Sequence, residues 1–314
     1  MAFAAASGWN NLPTGAFTPV IYSKNVLKYF RRASVAEAIT NTDYFGEIAN
    51  EGDTVKIINE PTILINDHVR GQNVEIQELN DSELTLTVDQ AKNFAFAVDD
   101  IEAKHAHLNW EAMATSSAVY ALKNSYDQAI LSYMKGQVST SSPDMVIGSD
   151  SATKITDMDT AAGSLDMGYG AGELSPLAIM ARMSRLLDDQ DIPEENRWFT
   201  AKPEFWEVMA DENSKLMGVD FTGDSSSRLR NGKVTDGQIR GFTCYKTNNI
   251  PATTNAGGVV MAGHMSSTAT ASQISKTERF RSQKFFGDVV RGMHMYGRKT
   301  LRTDAMSLAY YTID

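Results

Sequence analysis

Residues 84–101 read LTLTVDQAKNFAFAVDDI. Leu84, Leu86 and Val88 alternate with Thr85, Thr87 and Asp89, and the same parity resumes at Phe94, Phe96 and Val98. A period of two marks a β-strand, so the run predicts one long strand over 84–98, roughly 50 Å at ~3.3 Å per residue. Upstream, Thr54–Ile58 alternates with Val55 and Ile57 on one face, and VEIQEL (74–79) sets Val74 and Ile76 on one face. Between them NDHVRGQ (66–72) supplies turn residues and Gly71, which predicts a hairpin. A long two-stranded ribbon does not stand alone in water. Its length and its acidic surplus favour a neighbouring copy of the chain as the surface it lies on.

Downstream, the period changes. Ile101, His105, Leu108, Ala112 and Met113 recur at helical spacing, and Val119, Leu122, Tyr126, Ala129, Ile130 and Met134 continue it. With Asp99 as N-cap, Glu102 at the third helical position and Gly136 as the stop, the pattern predicts a helix over 99–135, roughly 55 Å long. The apolar positions are rich in alanine and lack a strict leucine seam, so a spine across a thin subunit fits better than a coiled coil.

The flanks are mixed. Residues 1–36, with Gly8, Pro13, Gly15 and Pro19, read as an arm rather than part of a core. Residues 137–172 are polar and carry short elements. Ser175-Pro176 starts a helix in the preferred way; a strand follows at Arg197–Thr200, and Pro203 opens a helix holding Phe205, Trp206 and Met209. Residues 212–233 read as a polar loop. Strands are expected at Gln238–Tyr245, Val259–Ala262, 285–302 and 305–313.

With 314 residues, 42% hydrophobic and 22% charged, the chain has enough apolar material for one large domain or two modest ones. Its net charge of −10 argues against sequence-specific nucleic-acid recognition. The charge is segregated, however. Residues 1–36 hold Lys24, Lys28, Arg31 and Arg32 and no acid; 51–89 hold nine acidic and two basic residues; 275–303 hold eight basic and two acidic ones. Such blocks of opposite sign suit contacts between copies.

Little points to catalysis. Cys244 is the single cysteine, so no internal disulfide and no CxxC motif exists. His105 and His107, two apart on a helix, cannot share a metal. No HExxH, P-loop or GxSxG occurs, and Gly168, Gly170 and Gly172 make only a weak phosphate cradle. The acids Asp188, Asp189 and Asp191 end a helix and read as a solvated loop rather than a calcium site. MAFAAASGWNN makes a poor signal peptide, and no apolar run is long enough for a membrane helix. A soluble, self-associating structural protein made in a cytoplasm is expected, with no cofactor.

In order and spacing, several segments resemble the major capsid proteins of tailed bacteriophages, which have the Hong Kong 97 fold. Gly52-Asp-Thr-Val-Lys-Ile57 is similar to the strand entering the extended loop, or E-loop, and residues 84–101 to the strand that leaves it for the spine helix. Asp191–Trp198 followed by Lys202-Pro203 resembles a segment of the axial domain, and Gly241–Pro251 a strand ending in an Asn-rich turn. Phe286–Gly292 and Tyr296–Arg298 resemble the last strands of the peripheral domain. The resemblance implies an α+β fold. Its parts would be an N-terminal arm (1–36), a peripheral domain (37–149, with the E-loop at about 50–90 and the spine helix at about 99–135), an axial domain (150–266) and the return of the peripheral domain (267–314).

The same resemblance implies a coat protein of an icosahedral, DNA-filled virion shell, assembled in the host cytoplasm. It would form hexamers and pentamers with itself and would meet a portal protein and a possible decoration protein. It would touch packaged DNA without sequence preference and would have no membrane partner. With the E-loop strand beginning by residue 54, a separate scaffolding protein is expected. Lys56 lies at the loop's base, so covalent crosslinking through the loop is not expected. The candidate inter-subunit contacts set Glu75, Glu78, Asp81 and Glu83 of the E-loop against Lys24, Lys28, Arg31, Arg32, Arg279, Arg281 and Lys284 of a neighbour. Gly46 and Gly52 are candidate hinges. A secreted or surface adhesin is the alternative, and an α/β enzyme with an unrecognised site a third reading.

Overall fold

A computed structural model describes residues 34–43, 54–58, 63, 65–67, 70–71, 73, 76–77, 83–99, 110–141, 143–210, 238–282 and 286–313. Its elements, in chain order, are α1 (Ala36–Ile39), β1 (Thr54–Ile58), β2 (Glu83–Thr87), β3 (Gln90–Asp99), α2 (Trp110–Gln137), β4 (Val146–Ile147), β5 (Lys154–Ile155) and β6 (Ser164–Asp166). There follow α3 (Pro176–Asp188), β7 (Arg197–Ala201), α4 (Pro203–Met209), β8 (Gln238–Ile239), β9 (Phe242–Lys246), β10 (Gly258–His264), β11 (Thr268–Arg281), β12 (Gly287–Thr300) and β13 (Met306–Thr312).

The predicted strand over 84–98 is two strands in two sheets. β2 pairs antiparallel with β1, and β3 pairs antiparallel with β12 from Gln90↔Tyr296 to Asp99↔Gly287. Only Val88 and Asp89 separate them. Two residues preserve the parity of alternation, so the period of two passes unbroken through the change of partner. At this crossing the chain runs over Gly297, where a Cβ would stand 2.4 Å from the Thr87 carbonyl oxygen. Leu86 and Val88 then bury against Ala269 and Ala271, and a second small core fixes the base of the hairpin on the sheet of β3, β11 and β12.

The helix expected over 99–135 is described in its later part. Asp99 is the last residue of β3, whose ladder with β12 spans 90–99. Residues 100–109 lie outside the described residues, and the helix is described over Trp110–Gln137, roughly 42 Å. Gly136 lies inside its last turn. The buried residues of α2 all come late: Tyr126, Asp127, Ile130, Leu131 and Met134. Between Ala112 and Ser125 no described side chain is buried.

Among the described residues there are three sheets. β1-β2 form one, and β11-β12-β3 form a second, with a bulge in β11 between Ser272 and Ile274. β11 is fourteen residues long and was not among the expected strands. The third sheet has eight strands in the order β5-β6-β13-β10-β7-β9-β8, with β4 beside β13. β13 pairs with β10 over Gly258↔Tyr311 to Gly263↔Met306 and so lies inside this sheet.

The helices on the third sheet follow from local signals. The Ser175 hydroxyl accepts from the Ala178 amide at 3.3 Å and Pro176 opens α3, which buries Ile179, Met180, Met183 and Leu187. Each such side chain contributes about 1.5–3 kcal/mol. α4 begins at Pro203 and buries Phe205, Trp206 and Met209; Phe205 and Trp206 meet Phe199, and Phe205 also meets Tyr311. The end of α3 is unfavourable for acids, yet Asp188 pairs with the buried Arg197 at 2.7 Å and Asp189 with Arg185 at 3.5 Å. The remaining donors of Arg197 reach the carbonyls of Ile192 and Pro193. Among the described residues no cluster of potential ligands is arranged to hold a metal.

The spine helix joins the sheets. Tyr126 meets His294 and Tyr296 of β12 edge-on, with ring centroids 5.4 and 4.8 Å apart, and His294 Nε2 lies 2.9 Å from the Ser272 hydroxyl. Beside it the fully buried carboxylate of Asp127 gathers four donors. Oδ1 accepts from the Ser34 hydroxyl and the Val35 and Ala36 amides at 3.1, 2.8 and 2.7 Å, and Oδ2 from the Asn249 side-chain amide at 2.7 Å. One carboxylate thus ties the start of α1 and the Asn-rich turn after β9 to the spine.

Candidate assembly surfaces

The hairpin arm is built by β1 and β2 in strict register, Thr54↔Thr87 to Ile58↔Glu83. Arg70 and Gly71 form a turn, and Gly71 takes a φ of +90°, which only glycine adopts without strain. The arm carries large apolar side chains in the open: Ile58 is 69% exposed, Ile63 68%, Ile65 97% and Ile76 93%. A monomeric protein rarely presents such a stripe, and its usual meaning is a protein interface. A second exposed apolar group lies on and beside the β3–β12–β11 sheet and on α2, at Phe280, Phe286, Met293 and Val119.

The charged candidates fare differently. Glu83 is held by Lys56 of its own chain at 2.5 Å, a cross-strand pair that raises the pKa of Lys56 through its hydrogen bond to Glu83. Arg279 and Arg281 both engage Asp288 across the β11–β12 ladder, at 2.5 and 3.7 Å. The hydrogen bond from Arg279 holds the Asp288 carboxyl below its ordinary value. A third exposed pair, Arg291–Glu278 at 2.8 Å, lies on the same ribbon. Exposed pairs of this kind contribute little to folding. Lys24, Lys28, Arg31, Arg32, Glu75, Glu78, Asp81 and Lys284, with Gly46 and Gly52, lie outside the described residues.

Two features were missed from the sequence. The exposed isoleucines sit among the acids of the arm, and the alternation at Ile63 and Ile65 was their signal. Asp127 was visible as an acid within the apolar stripe, three and four residues before Ile130 and Leu131, where only a partnered carboxylate is tolerated.

Compared by sequence, the chain matches no protein-family model and no curated protein. Compared by structure, it is similar to solved structures along almost its whole length. A structure of Mycobacterium phage Che8 superposes with a TM-score of 0.75 at 24% identity, over 96% of this chain and 98% of that one. The capsid structure of the cyanophage P-SCSP1u gives 0.75 at 16% identity, over 98% and 97%. The mature capsid of bacteriophage PhiM1 gives 0.66 at 15% identity, over 94% and 92%. With its hairpin arm, spine helix and paired sheets, the chain has the α+β fold of phage capsid subunits.

Proposed function

We propose that this chain is a major capsid protein, a structural rather than catalytic subunit that self-assembles into the icosahedral shell around a double-stranded DNA genome. The observation that carries the reading is the arm. It is a two-stranded sheet with exposed isoleucines, a form that is marginal alone and stable when laid on another surface. The full-length likeness to capsid structures supports it. No observation favours a surface adhesin.

In this reading the arm lies over a neighbouring copy in hexamers and pentamers, its isoleucines covered and its acids (Glu75, Glu78, Asp81) near the neighbour's basic block. A separate scaffolding protein, a portal, a possible decoration protein and non-specific contact with packaged DNA belong to the same proposal, as do the arm at 1–36 and the hinges at Gly46 and Gly52. The test is sedimentation velocity of the purified protein, alone and with a co-expressed scaffold, with electron microscopy of the fast fraction. Shells, tubes or hexamer sheets are expected. Ile63→Ser with Ile65→Ser, or Glu75→Lys with Glu78→Lys, should abolish them while the monomer keeps its melting temperature. A compact monomer under every condition would refute the assignment.

A further inference from the structure

A concavity lies on the third sheet, beside α4. It encloses about 800 Å³ and is lined by Tyr169, Glu173, Glu204, Glu207, Gly257 and Tyr311, among others, with no lysine or arginine in its wall. Glu204 and Glu207 project from α4 one turn apart, both exposed, and among the described residues neither has a cation partner. Glu173 is turned back onto the loop, accepting from the Gly170 amide at 2.6 Å. A second observation is independent of these acids. Tyr311 is fully buried in the wall, and its hydroxyl has no hydrogen-bond partner among the described residues. Burial pushes this phenol well up, and the charge of Glu204 adds to the effect. The result is an anionic hollow above a buried phenol.

The registers place a cation on the same rim. Thr200 pairs with Met261, three residues from Gly258; Gly258 pairs with Tyr311, and Ala201 with Lys246. Tyr311 and Lys246 therefore stand at one end of the sheet, three strands apart in the order β13-β10-β7-β9, roughly 14 Å at ~4.8 Å per strand. Lys246 is exposed, and β8 covers β9 only at Phe242 and Thr243, so the flank at Tyr245 and Lys246 is an open edge among the described residues. Lys202 follows β7 beside it. One flank of the rim is anionic and the other cationic.

We propose that the acidic hollow is the socket for the Lys246 flank of a second copy of this chain. A contact between two different patches on identical chains is head-to-tail, and it closes into a ring when its rotation closes. The proposal rests on the capsid reading and names the ring contact within it.

Variants with one introduced cysteine test it directly. Glu207→Cys and Lys246→Cys proteins are purified separately, mixed in equal amounts and treated with a short bis-maleimide. The native Cys244 stays silent, because it is buried and its thiol is pushed up to about 12. Crosslinked dimer is expected in the mixture and not in either variant alone. Crosslinking within each variant alone, or none in the mixture, overturns the socket. A charge exchange gives the second readout. Glu204→Lys with Glu207→Lys should abolish rings and shells, and adding Lys202→Glu with Lys246→Glu should restore them; shells from the first variant, or no restoration, overturn the contact. If the parent protein forms neither rings nor shells while the mixture still crosslinks, the capsid reading fails and the contact stands.

Discussion

Replacing Asp127 by alanine removes, in one step, the acceptor for four donors that converge from two parts of the chain. Three of them, the Val35 and Ala36 amides and the Asn249 side-chain amide, are buried. An unpaired buried donor costs about 1–3 kcal/mol, and water admitted by the shorter side chain recovers part of that, which leaves a loss of roughly 3–5 kcal/mol. At ~2.1 cal/mol/K of unfolding entropy per residue, a loss near 4 kcal/mol lowers Tm by roughly 6 °C in a chain of 314 residues. The assay is thermal unfolding of the unassembled subunit, paired with limited trypsin digestion. Because Val35 and Ala36 begin α1, cleavage at Arg31 and Arg32 should quicken in the variant. Asp127→Asn is the control. It keeps the Oδ1 acceptor but turns an amide toward Asn249, and should fall between parent and alanine. A Tm for Asp127→Ala within ~1 °C of the parent, with an unchanged digestion pattern, would refute the view that this carboxylate holds the junction.

Arg197→Ala removes the buried guanidinium that pairs with the exposed Asp188 and donates to the Ile192 and Pro193 carbonyls; a loss of roughly 1–3 kcal/mol is expected, read as a lower urea midpoint at constant m. Gly297→Ala forces a Cβ against the Thr87 carbonyl and should cost about 1–3 kcal/mol, with amide exchange quickening first in β1 and β2. His294 has a lowered pKa, chiefly from burial and against the pull of Glu37, so the fold favours its neutral ring. Stability should be full above the unfolded value of ~6.5 and decline as pH falls below it, by at most ~1.36 kcal/mol per unit. His264 is lowered in the same sense by burial, so His294→Gln should flatten the decline in part and the double variant fully; an unchanged slope in the double variant would contradict this.

What the sequence made legible was whatever local chemistry decides. Ser175-Pro176, Pro203 and the apolar run at Val259 placed α3, α4 and β10 within a residue or two, because caps, prolines and short buried runs act over a few neighbours. β11 escaped notice because TATASQISKTERFR mixes polar residues into both faces, and its extended form is imposed by β12 beside it. The break at Val88–Asp89 was hidden by an even-numbered link. Counting charges found the acidic arm and the basic ribbon but not their partners. That Glu83 faces Lys56, and Asp288 lies between Arg279 and Arg281, follows from register, and register depends on strands that are distant in sequence.

The exchange of partners at Val88–Asp89 also has a mechanical side. A pull on the arm enters the body at Gln90 and runs along β3, while the bonds joining β3 to β12 lie across that direction. Ten residue pairs are then strained together in shear and cannot be peeled apart one by one. A subunit built this way can be tugged by its outstretched arm without its body unravelling.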